Sequence, residues 1–506
     1  MRKSVLLVLL LYVCIGLLNL ITVGSKSVFY FSIIIGSVAG LVTLVRILRY
    51  PQNITVFSLF SLSILSGYMI GPTVSIIYLF STHRYSPVYF VGSFAFVGYK
   101  NGLSYALASA YFVAALLTLV GSVSKPVFRM GWKQRKNAFD LSDRVLLFSL
   151  SIIVFAALWT GDFGYMGVVS GLSGRITVLG GLAGLILPAL IPVFAYVVTK
   201  QIMTGALSWL YVVLLVLLTL ILIITGRREL LFVSIISVIY IAYAAPNVRR
   251  IFSLKKVFLN PKKFLAILAI GGVIFVGFYG FYALRVADNQ LGNKPVLSSG
   301  VAESMQILQN GKQSFYSIAS DEAMTRSGTL IEYLGSLQVS SIKRYLYGQC
   351  VLSSIIDTIP SVILGDKEKL LFKYPCTVEY INSRFNLLQT DSPTTLLTTG
   401  YADYGVVGML LYPVIVAALL SSILVFIRRT KWQLFKLLCL AAILYASIFV
   451  EEDLAFYFST IMDIFIIWLI ALSVTVVIKL ISPNAAVALH ANRHHYNYDN
   501  NKRLDG

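Results

Sequence analysis

Apolar runs long enough to cross a bilayer recur along almost the whole chain, separated by short polar or basic stretches. A hydrocarbon core of ~30 Å needs about 20 apolar residues as a helix. On that ruler the pattern predicts about twelve spans, near residues 4–22, 28–47, 55–80, 103–122, 145–160, 176–199, 207–225, 229–245, 264–284, 401–427, 434–450 and 454–482. An even number of crossings returns the chain to the side on which it began. The expected organisation is a membrane bundle of nine spans over 1–284, one long loop over 285–400, three further spans over 401–482, and a disordered cytoplasmic tail over 483–506. The fold class read from this pattern is an all-α polytopic membrane protein.

Composition agrees, with 58% hydrophobic and 12% charged residues, far from the roughly one-quarter charged residues of soluble domains. The net charge of +20 changes the picture less than its size suggests. Lys and Arg fall mainly between apolar runs, where topology and anionic headgroups account for them, so no nucleic-acid partner is expected. Setting the long loop aside, they concentrate on one side, in 125–144, 249–263 and 428–436, which makes that side cytoplasmic and the long loop external. Met1 to Lys3 followed by the apolar run from Ser4 to Thr22 resembles a signal peptide. No small-residue cleavage site closes that run, so it reads as an uncleaved first span with a cytoplasmic amino terminus.

The long loop differs in character, carrying ten acidic and ten basic residues. Apolar spacing in Ser314 to Leu346 and Val351 to Leu364 predicts short amphipathic helices, with turns at Gly328, Pro360, Gly365 and Pro375. Cys14 and Cys439 fall within predicted spans, whereas Cys350 and Cys376 both fall in the loop, where oxidation is chemically available. They are a candidate disulfide, with free thiols as the alternative.

Gly226-Arg227-Arg228-Glu229 joins two spans almost without a loop and faces outward in this topology. Two arginines at the outer boundary oppose the positive-inside bias, and a guanidinium at the bilayer edge is costly unless an anion answers it. The planar fork of Arg suits phosphate oxygens, so a lipid-linked phosphate or pyrophosphate is the natural ligand, with interfacial snorkelling and a local Arg–Glu pair as the alternative. Arg285, Arg326 and Arg384 lie on the same side and could converge on one anion. A second motif runs from Asp391 through Gly400-Tyr401-Ala402-Asp403-Tyr404-Gly405 to Gly408 and leads into a span. Its glycines permit close backbone approach, and Asp403, Tyr401 and Tyr404 offer hydrogen bonds to a sugar; the alternative is a tightly packed helix start in an aromatic belt.

Other chemistries lack their parts. Of the four histidines only His83 faces outward, the rest being His490, His494 and His495 of the tail, so neither an external histidine metal site nor a Ser-His-Asp or Cys-His nucleophile is expected. No phosphate-cradling glycine loop with its lysine appears, so no nucleotide cofactor is expected. Asp463 is the one deep acidic residue in a span, fewer than a proton-coupled transporter normally needs.

Taken together, the outward Arg227-Arg228, the loop stretch Gly348 to Gly365 with Ile359-Pro360 and Asp366-Lys367, and the Gly400 to Gly408 helix start resemble the O-antigen polymerases, or oligosaccharide repeat-unit polymerases, of bacterial envelope synthesis. The resemblance implies a GT-C-like, metal-independent glycosyltransferase of the bacterial inner membrane with a large periplasmic loop and cytoplasmic termini. Donor and acceptor would be glycans on undecaprenyl pyrophosphate, with a chain-length regulator protein and a flippase as further partners. Arg227, Arg228 and Arg285 would hold the pyrophosphate, Arg326 or Arg384 would add a contact, and Asp403 rather than Glu229 or Asp391 would deprotonate the acceptor hydroxyl. Lipid-linked oligosaccharide flippases and envelope ligases are the competing classes. Flippases of that kind show two similar halves, and ligases an outward loop histidine; neither is found here.

Overall fold

The computed structural model describes residues 3–81, 99–128, 141–160, 178–205, 207–224, 229–244, 328–359, 361–387, 394–430, 432–449 and 452–481. Among these residues the chain is helical, with no strand. Helices α1 (Lys3–Ile21) and α2 (Lys26–Arg49) are followed by α3 (Val56–Leu65), a π turn (Ser66–Ile70) and α4 (Gly71–Ser81), which form one nearly continuous rod. Then come α5 (Tyr99–Val123), α6 (Leu141–Trp159), α7 (Val178–Thr204), α8 (Trp209–Ile224) and α9 (Glu229–Ala244). The insert supplies α10 (Thr329–Val339), α11 (Gln349–Thr358), α12 (Ser361–Leu364), α13 (Lys367–Lys373) and α14 (Val378–Arg384). The chain closes with α15 (Leu396–Arg428), α16 (Gln433–Ile448) and α17 (Leu454–Ile481). Seven helices are long and apolar enough to cross a membrane, and four shorter apolar helices accompany them. The span expected at 264–284 lies outside the described residues.

Two helices organise the bundle. Helix α5 receives α1, α3, α10 and α15, while α7 receives α6, α8, α9 and α16. The middle of α7, including Ile186, Leu187, Leu190, Val193 and Phe194, is wholly enclosed. Pro188 and Pro192 lie inside that helix, where each removes a backbone donor. In the rod, Thr55 and Ser58 form a reciprocal capping box that starts α3, satisfying donors with no partner inside the helix. The π turn lies against α2, where a methyl on Gly36 would collide with Met69 and Tyr111. Glycine there lets the wider turn approach its neighbour closely.

Where the expected insert helices are described they form, with Gly328 preceding α10 and Gly365 at φ +70° between α12 and α13, while residues 314–327 and Pro360 lie outside the described residues. They do not stand apart from the bundle. Helix α10 packs on α5, and α11 packs on α17. The Gly102 and Gly335 backbones touch, since a Cβ on Gly102 would lie 2.7 Å from the Gly335 carbonyl oxygen.

Candidate functional site

Helix α15 is 33 residues long, which as a straight rod would measure about 50 Å, well beyond a hydrocarbon core of ~30 Å. It is not straight. Tyr404 and Gly405 leave the helical region, with Gly405 at φ +62°, a conformation a side chain strongly disfavours. The leading piece, Leu396 to Asp403, folds back on the main helix so that a Cβ on Gly400 would sit 2.5 Å from the Gly408 carbonyl oxygen. Roughly 35 Å of helix remains after the bend, a length that fits one crossing. The span and loop boundary expected at 400/401 therefore falls inside a helix that starts at Leu396.

Asp403 sits at this bend with no solvent exposure. One carboxylate oxygen accepts from the Cys350 backbone N–H at 3.2 Å, and the other accepts from the Tyr412 hydroxyl at 2.7 Å. Cys350 belongs to the first turn of α11, whose N–H groups lack partners inside the helix, so Asp403 caps α11 from a distant part of the chain. Backbone bonds reinforce the contact, from Leu346 N–H to the Ala402 carbonyl and from Tyr347 N–H to the Asp403 carbonyl, both 3.0 Å. Asp403, the base expected from sequence, thus stands in this structure as a clasp between insert and span, with both carboxylate oxygens hydrogen-bonded.

Two further bonds nearby tie parts of the insert to each other. The sulfurs of Cys350 and Cys376 are bonded, and Gln349 Nε2 donates to the Pro375 carbonyl at 2.6 Å. Tyr345, Tyr401 and Phe385 form a mutual ring cluster with centroids 6.0 to 6.2 Å apart. Tyr401 is therefore a buried packing residue, whereas Tyr404 is exposed, with its hydroxyl beside Gly348. Arg384 turns back on its own helix: Nε and Nη2 donate to the Tyr380 hydroxyl at 3.1 and 2.7 Å, and the guanidinium lies 5.1 Å from that ring's centroid.

Several further buried polar groups lie on α10, α5, the π turn and the start of α15. Gln338 of α10 donates through Nε2 to Ser109 Oγ at 2.7 Å, and its Oε1 has no partner. Tyr68 of the π turn shares a hydrogen bond of 2.8 Å with Thr395, which caps α15. Glu332 flanks the Gly335 contact on α10 and is 5% exposed, and its backbone carbonyl accepts from Ser336 Oγ at 2.9 Å. Burial pushes its carboxyl well above the usual carboxylate range. Glu379 behaves oppositely, its carboxyl held below that range chiefly by the Thr377 side chain. Glu332 was legible only as one loop charge among many. The available signal was its place in Leu330-Ile331-Glu332-Tyr333-Leu334, an acidic residue inside an apolar helical turn.

Arg227, Arg228, Arg285, Arg326 and Asp391 lie outside the described residues. Glu229 begins helix α9. Among the described residues no cluster of three or more His, Cys, Asp or Glu could hold a metal ion. The sites expected from sequence thus divide into a clasp built from Asp403, a packing cluster containing Tyr401, and an Arg384 folded onto Tyr380. No protein family, curated protein or solved structure matches this chain.

Proposed function

We propose that this protein is a membrane glycosyltransferase that joins oligosaccharide repeat units carried on undecaprenyl pyrophosphate into O-antigen or a related envelope polysaccharide. The observation carrying this reading is that the insert is clasped directly to the head of a candidate membrane helix by Asp403. A polymerase of lipid-borne glycans needs that adjacency, because the reacting sugar is held near the membrane by its carrier. The Cys350–Cys376 bond supports an oxidising, non-cytoplasmic compartment for the insert.

In this reading the acceptor hydroxyl oxygen attacks the anomeric carbon of the donor glycan. The bond from that carbon to the lipid pyrophosphate breaks, and the pyrophosphate leaves with the electron pair. Arg227, Arg228 and Arg285 hold the departing group and stabilise its charge. The hydroxyl proton passes to a carboxylate, for which Asp403 and the buried Glu332 of α10 are the two candidates. No nucleotide is consumed, because the donor's pyrophosphate carries the activation.

Deletion of the gene followed by gel analysis of envelope polysaccharide tests the reading. Acceptors bearing a single repeat unit are expected. Loss of every unit would instead identify a flippase or a ligase.

A further inference from the structure

The insert contains a short helix with no fully buried side chain. Helix α13 has the sequence Lys-Glu-Lys-Leu-Leu-Phe-Lys, three of its seven residues are apolar, and none of its side chains is buried. Phe372 is 89% exposed, and Ile363 on the preceding short helix is 71% exposed. On a helical wheel Phe372, Lys369 and Lys373 fall within about 100° of one another, while Leu370 and Leu371 point elsewhere and are half-buried. An exposed phenylalanine flanked by lysines matches the chemistry of a surface seated at a bilayer interface.

The position of α13 follows from a chain of contacts. Lys367, at its start, makes an ion pair of 3.2 Å with Asp357 at the end of α11. Asp357 is close enough to Asp453 for their charges to interact, and Asp453 caps the first turn of α17. Helix α17 contains the candidate span Leu454–Ile478. Helix α13 therefore lies close to the point where a candidate span begins.

We infer that α12 and α13 form a membrane-surface foot, in which Phe372 and Ile363 enter the headgroup boundary and Lys369 and Lys373 bind anionic phospholipid at the insert's end of the bundle. The occupant is the bilayer and not a protein groove. Its two components are apolar burial and charge attraction, which respond to different variables. The inference does not depend on the glycosyltransferase reading.

The test uses the full chain in bilayers made with and without an anionic phospholipid, with Phe372→Trp compared against the parent protein. The added tryptophan should emit at shorter wavelength than in water and be quenched by lipids brominated on their acyl chains. In anionic bilayers, Lys369→Glu with Lys373→Glu should lower the ratio of docked to undocked states by at least about fivefold per lysine, and more if the new carboxylates are repelled. Water-like emission without quenching would overturn the foot, and cross-linking between copies at residue 372 would assign the face to a second chain instead. Equal quenching with and without anionic lipid would overturn the lysine contribution.

Discussion

The carboxylate of Asp403 accepts a hydrogen bond from the backbone N–H of Cys350 at 3.2 Å, joining two positions 53 residues apart. One end belongs to the bend of a candidate membrane helix and the other to the first turn of an insert helix that is also held by a disulfide. The insert's geometry is set there.

Removing the carboxylate should loosen that junction. Asp403→Ala leaves the Cys350 N–H and the Tyr412 hydroxyl without their acceptor, and is expected to cost about 2–4 kcal/mol. Asp403→Asn keeps an acceptor oxygen and should cost about 1 kcal/mol. Thermal unfolding of the purified variants checks the order. An Asp403→Ala protein as stable as its parent would mean that no clasp exists.

The Cys350–Cys376 bond closes a segment with a sequence separation of 26 residues. Replacing both cysteines by serine should cost ~3 kcal/mol, chiefly through the unfolded chain's regained freedom. Limited proteolysis should then cut the insert before the bundle, whereas the parent protein should resist. Identical digestion patterns would argue that the disulfide contributes nothing to the insert.

At the crossing of α5 and α10, Gly102→Ala or Gly335→Ala drives a methyl into the opposing backbone. Each is expected to destabilise by about 1–3 kcal/mol, and the double variant by less than the sum, because either methyl already forces the helices apart. Strict additivity in denaturation would contradict the close approach.

Glu332 gives a prediction with a definite sign. Burial raises its pKa in the folded state above the unfolded value, so the folded protein binds that proton more tightly. Stability is unaffected below the ordinary carboxylate range, falls as pH rises from there toward the raised value, and then levels. Glu332→Gln should flatten this component while lowering chain elongation in the proposed reaction. A wild-type stability curve without that decline would contradict the buried carboxyl.

Much of the helical layout was readable because a bilayer imposes one length and one composition on each crossing. The expected spans at 28–47, 103–122 and 145–160 each fall within a described helix to within about a residue or two. The bend in α15 was not readable in the same way. Its leading turns are apolar and its glycines are spaced as in any tightly packed helix, so only the fold shows that Gly400 meets Gly408. Asp403 was singled out for its chemistry, but its neighbours come from 53 residues upstream, and their contact is set by tertiary packing. Cys350 and Cys376 could be placed in one loop by sequence, whereas their pairing depends on how α11 and the turn before α14 meet.

The central claim is that the clasped insert and bundle elongate a lipid-linked glycan. Purified protein in liposomes containing only undecaprenyl-pyrophosphate-linked repeat units tests it most directly. The account predicts a ladder of lengths on gels, with one undecaprenyl pyrophosphate released per bond formed and no nucleotide required. Units that cross the bilayer unextended, or that stay single while the protein remains folded, would contradict it.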